Sequence, residues 1–132
     1  MYLLCTDGVA EFDLATQRFK TLLQGNVDAI YFNEKLYIGK REEVFVYNES
    51  TGNFDLFYHL AGKNITLSCL HLDKNKNLWM GTTSNGIYCL SEDKSLSRPV
   101  TKGNITSIYE DSSNELWIGS WEEGLYRVKT DG

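Results

Sequence analysis

Leu67-Ser68-Cys69-Leu70-His71-Leu72-Asp73-Lys74-Asn75-Lys76-Asn77-Leu78-Trp79-Met80-Gly81 aligns without a gap on Ile105-Thr106-Ser107-Ile108-Tyr109-Glu110-Asp111-Ser112-Ser113-Asn114-Glu115-Leu116-Trp117-Ile118-Gly119, 38 residues further along. The register carries on through Gly86-Ile87-Tyr88 onto Gly124-Leu125-Tyr126, so what recurs is a whole unit and not a short motif. Another copy runs through Val27-Asp28-Ala29-Ile30-Tyr31-Phe32, turns at Asn33-Glu34, and resumes as Leu36-Tyr37-Ile38-Gly39 and Val44-Phe45-Val46-Tyr47. Its first turn is two residues shorter. The chain opens on an incomplete copy, Leu3-Leu4-Cys5 then Gly8-Val9-Ala10-Glu11-Phe12, which aligns Cys5 with Gly39, Gly81 and Gly119. Outer segments recur as well, with Thr16-Gln17-Arg18-Phe19 35 residues before Thr51-Gly52-Asn53-Phe54.

Within each unit the pattern is that of strands. Alternation in Ile105 to Tyr109 and in Leu116 to Gly119, with turn residues between, predicts an antiparallel hairpin, and two further short strands follow, as at Ile87 to Leu90 and Leu96 to Thr101. A four-stranded antiparallel unit of roughly 40 residues in tandem is the mark of propeller blades. The expected fold is therefore all-β, one partial β-propeller domain over 1–132 of about three to four blades, with units near 1–23, 24–61, 62–101 and 102–132. Such units bury their faces on their neighbours, so stability comes largely from blade-on-blade packing.

Composition narrows the function. With 42% hydrophobic and 13% aromatic residues the chain can supply a core. A net charge of −5, with acidic residues scattered along the chain, argues against nucleic acid as partner, because phosphate binding draws on clustered Lys and Arg. No run of 18 apolar residues and no signal peptide is present, so no direct membrane insertion is expected of this stretch. Cys5, Cys69 and Cys89 lie too far apart for a disulfide framework and form no zinc motif with the two histidines. No metal and no cofactor is expected.

Ile105-Thr106-Ser107-Ile108-Tyr109-Glu110-Asp111 and Glu115-Leu116-Trp117-Ile118-Gly119-Ser120, followed by Glu123-Gly124-Leu125-Tyr126-Arg127, resemble the two-component regulator propeller repeat. The resemblance covers nearly the whole chain and is clearest from Leu67 to Val128. It implies the sensor region of a hybrid histidine kinase, periplasmic in the parent protein, in which propellers respond to glycan fragments and signal to a kinase. A seven-bladed ring of such repeats needs roughly 280 residues at about 40 each, so the chain reads as a fragment of one. The sequence departs from the family pattern where Lys76 and Asn114 replace a turn glycine. Asn tolerates a left-handed backbone whereas Lys is strained there, which predicts a different geometry for the turn before Leu78.

Trp79 and Trp117 share the repeat position of Tyr37 and are expected in the core between blades. Asp73 to Asn77 opens like a calcium loop but lacks glycine at its sixth position, where Leu78 stands, and glutamate at its twelfth, where Ser84 stands, so it reads as a polar hairpin turn. His71 and His59 read as packing or solvated residues. Recognition is expected where repeats differ, in the loops of one propeller face: Lys40-Arg41-Glu42, Thr82-Thr83-Ser84-Asn85 and Ser120-Trp121-Glu122-Glu123. The candidate ligand-binding residues are Trp121, Arg41, Lys40, Thr83, Asn85 and Glu122, with Trp121 a stacking platform for a sugar ring of an oligosaccharide.

Two other functions compete with a non-catalytic sensor. A propeller-type lyase or hydrolase needs converging titratable groups, and the inner strands offer only His71, Asp28 and Glu110. A structural protein-protein interaction module is the third. Blade faces and strand edges left open at the two ends lead us to expect self-association through the terminal blades.

Overall fold

A computed structural model describes residues 1–62 and 64–129. Its strands form four antiparallel sheets, each a meander in chain order. The first holds β1 (Tyr2–Cys5), β2 (Gly8–Asp13) and β3 (Arg18–Gln24). The second holds β4 (Ala29–Asn33), β5 (Lys35–Lys40), β6 (Glu43–Asn48) and β7 (Asn53–His59). The third holds β8 (Leu67–Leu72), β9 (Leu78–Thr82), β10 (Ile87–Leu90) and β11 (Leu96–Val100). The fourth holds β12 (Ile105–Glu110), β13 (Glu115–Ser120) and β14 (Gly124–Lys129). The chain is all-β, a run of propeller blades in which β8, an innermost strand, packs against its counterparts β4 and β12.

The core is divided among the junctions between blades. Val9 meets Leu36 and Ile38 between the first and second. Tyr37 and Val44 meet Leu67, Leu70, Leu78 and Met80 between the second and third. Trp79, Ile87 and Cys89 meet Ile105, Leu116 and Ile118 between the third and fourth. Strand alternation produces this directly, since Leu78 and Met80 point back to the preceding blade while Trp79 between them points forward. Each fully buried aliphatic side chain contributes about 1.5–3 kcal/mol. Gly81 lets the blades approach: a Cβ there would lie 2.4 Å from Cys69 Sγ and 2.8 Å from Ile105 Cγ2 of the next blade.

Three sequence expectations need correction. Leu4, not Cys5, holds the glycine position, because Leu4 lies opposite Val9 as Gly39 lies opposite Val44, Gly81 opposite Ile87 and Gly119 opposite Leu125. The slip arises because Cys5 and Gly8 flank a two-residue turn, one residue shorter than Trp121 to Glu123 between Ser120 and Gly124. Tyr2, opposite Glu11, therefore occupies the aromatic position shared by Tyr37, Trp79 and Trp117. It packs on Phe32 of the second blade with ring centroids 4.9 Å apart.

Trp117 is not buried like Trp79. Trp79 is 5% exposed whereas Trp117 is only half-buried, because its sheet is the last described and no blade covers its forward face. The Arg127 guanidinium sits 5.7 Å from its ring, and Tyr109 and Leu125 on the same face are exposed.

The turn before Leu78 has the same geometry as its counterpart. Lys76 takes φ 65 and Asn114 φ 63, so lysine adopts the left-handed conformation despite its strain. Aspartate holds both turns. Asp73 Oδ1 accepts from the backbone N–H of Asn75 and of Asn77, each at 2.9 Å, and Asp111 Oδ1 accepts from those of Ser113 at 2.8 Å and Glu115 at 3.0 Å.

Candidate functional site

The loops that follow the second strand of each blade and those that enter the next blade lie at one end of the sheets. Backbone hydrogen bonds lace them together. Leu67 N–H donates to Arg41 O at 2.7 Å, Thr83 N–H to Thr66 O at 3.0 Å, Gly86 N–H to Gly103 O at 3.0 Å and Trp121 N–H to Asn104 O at 2.9 Å. The residues predicted for recognition thus share an end, but they do not share one pocket.

Lys40 and Arg41 line a depression of ≈ 390 Å³ together with Asp28, Glu42 and Thr66. Arg41 has φ 55, and the Asp28 carboxylate holds it there by accepting from its backbone N–H at 2.7 Å. The Arg41 side chain is 76% exposed and 3.9 Å from Glu42, a contact of little energy in water. His59 lies 3.7 Å from the other Glu42 oxygen. Thr83 is exposed and borders the depression through its bond to Thr66.

Asn85, Trp121 and Glu122 sit one junction further on. Trp121 is 80% exposed and Glu122 accepts from Asn104 N–H at 2.9 Å, so its carboxylate braces the loop. Asn85 is held by Thr82, which the sequence reading placed in the same loop, and by Arg98, which it missed. Thr82 Oγ1 accepts from Asn85 N–H at 2.9 Å, and Arg98 Nη2 donates to Asn85 O at 2.8 Å and to Thr101 O at 2.6 Å. Arg98 also stacks on Tyr88, 5.0 Å from its ring. The hydroxyl was legible in the repeat, because Ser120 stands where Thr82 stands and accepts from Glu123 N–H at 3.4 Å. Arg98 has no such signal, since its blade alone among the last two has a described fourth strand.

The three inner-strand candidates for catalysis do not converge. Asp28 precedes β4 at the loop end, whereas His71 and Glu110 stand near the far ends of β8 and β12. His71 Nε2 is buried without a hydrogen-bond partner among the described residues, 3.9 Å from Glu110 Oε1, and Tyr31 meets its ring edge-on at 5.2 Å. Burial pushes the His71 pKa below its usual value, against the opposing pull of Glu110 and Asp73. Glu110 Oε2 accepts from Lys74 N–H at 3.2 Å, which ties the two blades together. Burial raises the Cys69 and Cys89 thiols to about 11, so neither is a thiolate nucleophile at neutral pH. Among the described residues no group of three or more His, Cys, Asp or Glu side chains is placed to hold a metal.

Tandem antiparallel sheets with junction cores and a laced loop end define a run of β-propeller blades. The family model of the two-component regulator propeller matches residues 59–84 and 99–122, so these two stretches are similar to that repeat. Solved structures of the same fold include the extracellular domain of the putative hybrid two-component system BT4673 from B. thetaiotaomicron, at TM-score 0.77 and 21% identity over 99% of this chain and 20% of that one. The corresponding domain of BT3049 from the same organism matches at 0.70 and 21%, over 96% of this chain and 18% of that one. Virginiamycin B lyase from Staphylococcus aureus matches at 0.59 and 15%, over 80% and 42%. The chain therefore spans about a fifth of the length of the two extracellular domains it resembles. No curated protein sequence matches it significantly.

Proposed function

We propose that this chain is part of a non-catalytic sensory propeller that recognises a small ligand, an oligosaccharide fragment, at the loop end of its blades. Its parent then acts outside the cytoplasm and signals to a histidine kinase, as the repeat type and the extracellular domains of similar fold suggest. Among the described residues no helix is long and apolar enough to cross a membrane. The carrying observation is Trp121. It is an indole 80% exposed on a backbone anchored by Asn104, where the equivalent turns present Arg41-Glu42 and Thr83 to Asn85 instead. A rigid aromatic in water, on a loop that differs from its repeats while the framework does not, suits stacking on a sugar ring.

Tryptophan fluorescence with a panel of neutral and acidic oligosaccharides tests this. A ligand should change the emission saturably, and Trp121→Ala should weaken that ligand by about tenfold with an unchanged denaturation midpoint. Equal binding by the variant removes Trp121 from the site, and silence across the panel removes the glycan. The enzyme alternative has the lyase's fold in its favour, but Asp28 stands at the other end of the sheets from the His71 and Glu110 pair, and His71 Nε2 in that pair is buried away from any substrate.

A further inference from the structure

At the opposite end of the sheets, the junction between the second and third blades opens into a crevice of ≈ 340 Å³. Tyr37, Phe57 and Leu90 form its apolar lining, and Lys35, Lys76 and Lys94 stand on its rim. The volume falls at the lower end of the roughly 300–1,000 Å³ of small-molecule sites. Glu34 and Glu92 reach the rim as well, so the lysines leave one positive charge in excess in a chain whose net charge is −5.

The crevice follows from a difference between repeats. At the next junction Trp79 takes the place of Tyr37, and its indole N–H is held by Asp73. The second blade has the shorter turn Asn33-Glu34-Lys35 and carries Asn33 where the others carry Asp73 and Asp111. Tyr37 is 6% exposed, and its hydroxyl opens on the crevice that it lines. A phenol whose hydroxyl opens on an apolar crevice is placed to donate to a ligand. Tyr37 meets Phe57 edge-on at 5.5 Å, and Lys94 Nζ lies 4.1 Å from the Phe57 ring centroid. Lys94 projects from a turn held by Asp93, which accepts from the Ser91 and Ser95 hydroxyls at 2.5 and 2.6 Å.

We propose that this crevice binds a small amphipathic anion. An aromatic body lies against Tyr37, Phe57 and Leu90, and a carboxylate, sulfate or phosphate accepts from the Tyr37 hydroxyl and from Lys76 and Lys94. The three features converge on one chemistry: the lining desolvates an apolar body, the hydroxyl offers a donor, and the lysines select a negative acceptor. The site is separate from the loop end and stands or falls independently of it.

Backbone amide shifts on titration with naphthalene-2-sulfonate, with naphthalene-2-sulfonamide as the uncharged control, provide the test. The sulfonate should shift Glu34, Tyr37, Phe57, Leu72 and Ser91 saturably and bind about tenfold tighter than the sulfonamide. Lys76→Gln with Lys94→Gln should erase that preference, and Tyr37→Phe, which keeps the packing, should weaken the sulfonate about threefold or more. Equal affinity for the two probes, shifts confined to the Arg41 and Trp121 loops, or no saturable shift would each overturn the proposal.

Discussion

Asp73 Oδ2 accepts a hydrogen bond from Trp79 Nε1 at 2.8 Å, and Asp111 Oδ2 repeats it with Trp117 Nε1 at 2.8 Å one blade later. One carboxylate thus closes the hairpin turn with one oxygen and orients the indole with the other. The Trp117 N–H, followed by that of Glu115, holds Asp111 below the usual carboxylate range. Packing and turn chemistry are coupled in every copy that has both residues.

Asp73→Ala should therefore cost more than a surface turn residue would. Asp73 is 4% exposed, and its loss leaves a buried indole N–H and two turn amides without acceptors. A destabilisation of about 2–4 kcal/mol is expected in urea unfolding. A loss below about 0.5 kcal/mol would show that water replaces the carboxylate in full.

The two repeat-equivalent tryptophans should separate in stability. Trp79→Ala removes an indole packed between two blades and should cost about 3–5 kcal/mol. Trp117→Ala, on a face no blade covers, should cost about 1–2 kcal/mol. Equal losses by chemical denaturation would mean that the forward face of the last sheet is covered in solution.

Lys76 sits at φ 65 with its backbone N–H bonded to Asp73 O at 2.9 Å. Lys76→Gly relieves the left-handed strain at the cost of a freer unfolded chain, and a net gain of about 0.5–1 kcal/mol is expected. Asn114→Gly should gain less, because asparagine already tolerates that region. The comparison is read from paired thermal midpoints.

His71 should make stability depend on mild acid. Its folded pKa lies below the ordinary 6.5, so between those two values the unfolded chain binds more protons than the folded one. Its share of stability is present above pH 6.5 and is lost as pH falls through the depressed folded value. Denaturation midpoints from pH 7.5 to 5 should fall, and His71→Gln should flatten that slope. A slope unchanged in the variant would assign it to other groups.

Much of the architecture was legible before any coordinates. Hairpins came from period-two alternation between turn residues, and the tandem unit came from the gapless match of Leu67 to Gly81 on Ile105 to Gly119. The candidate loops were found as the segments that differ between copies, and they do meet at one end. Misreading Cys5 for Leu4 came from letters that match equally well in two registers, which only the pairing of Leu4 with Val9 separates.

By itself, then, the sequence determined the strands, the repeat and the end of the blades on which variation gathers, because these depend on local periodicity and on neighbours along the chain. Tertiary structure decided which face of a repeated position is covered. Trp79 and Trp117 have matching contexts in the sequence but opposite fates in the fold. It also decided that the Tyr37 hydroxyl opens on a crevice while the Trp79 indole finds Asp73. Burial and hydrogen-bond satisfaction are set by the adjoining blade and by the length of its turns, and no residue carries that information alone.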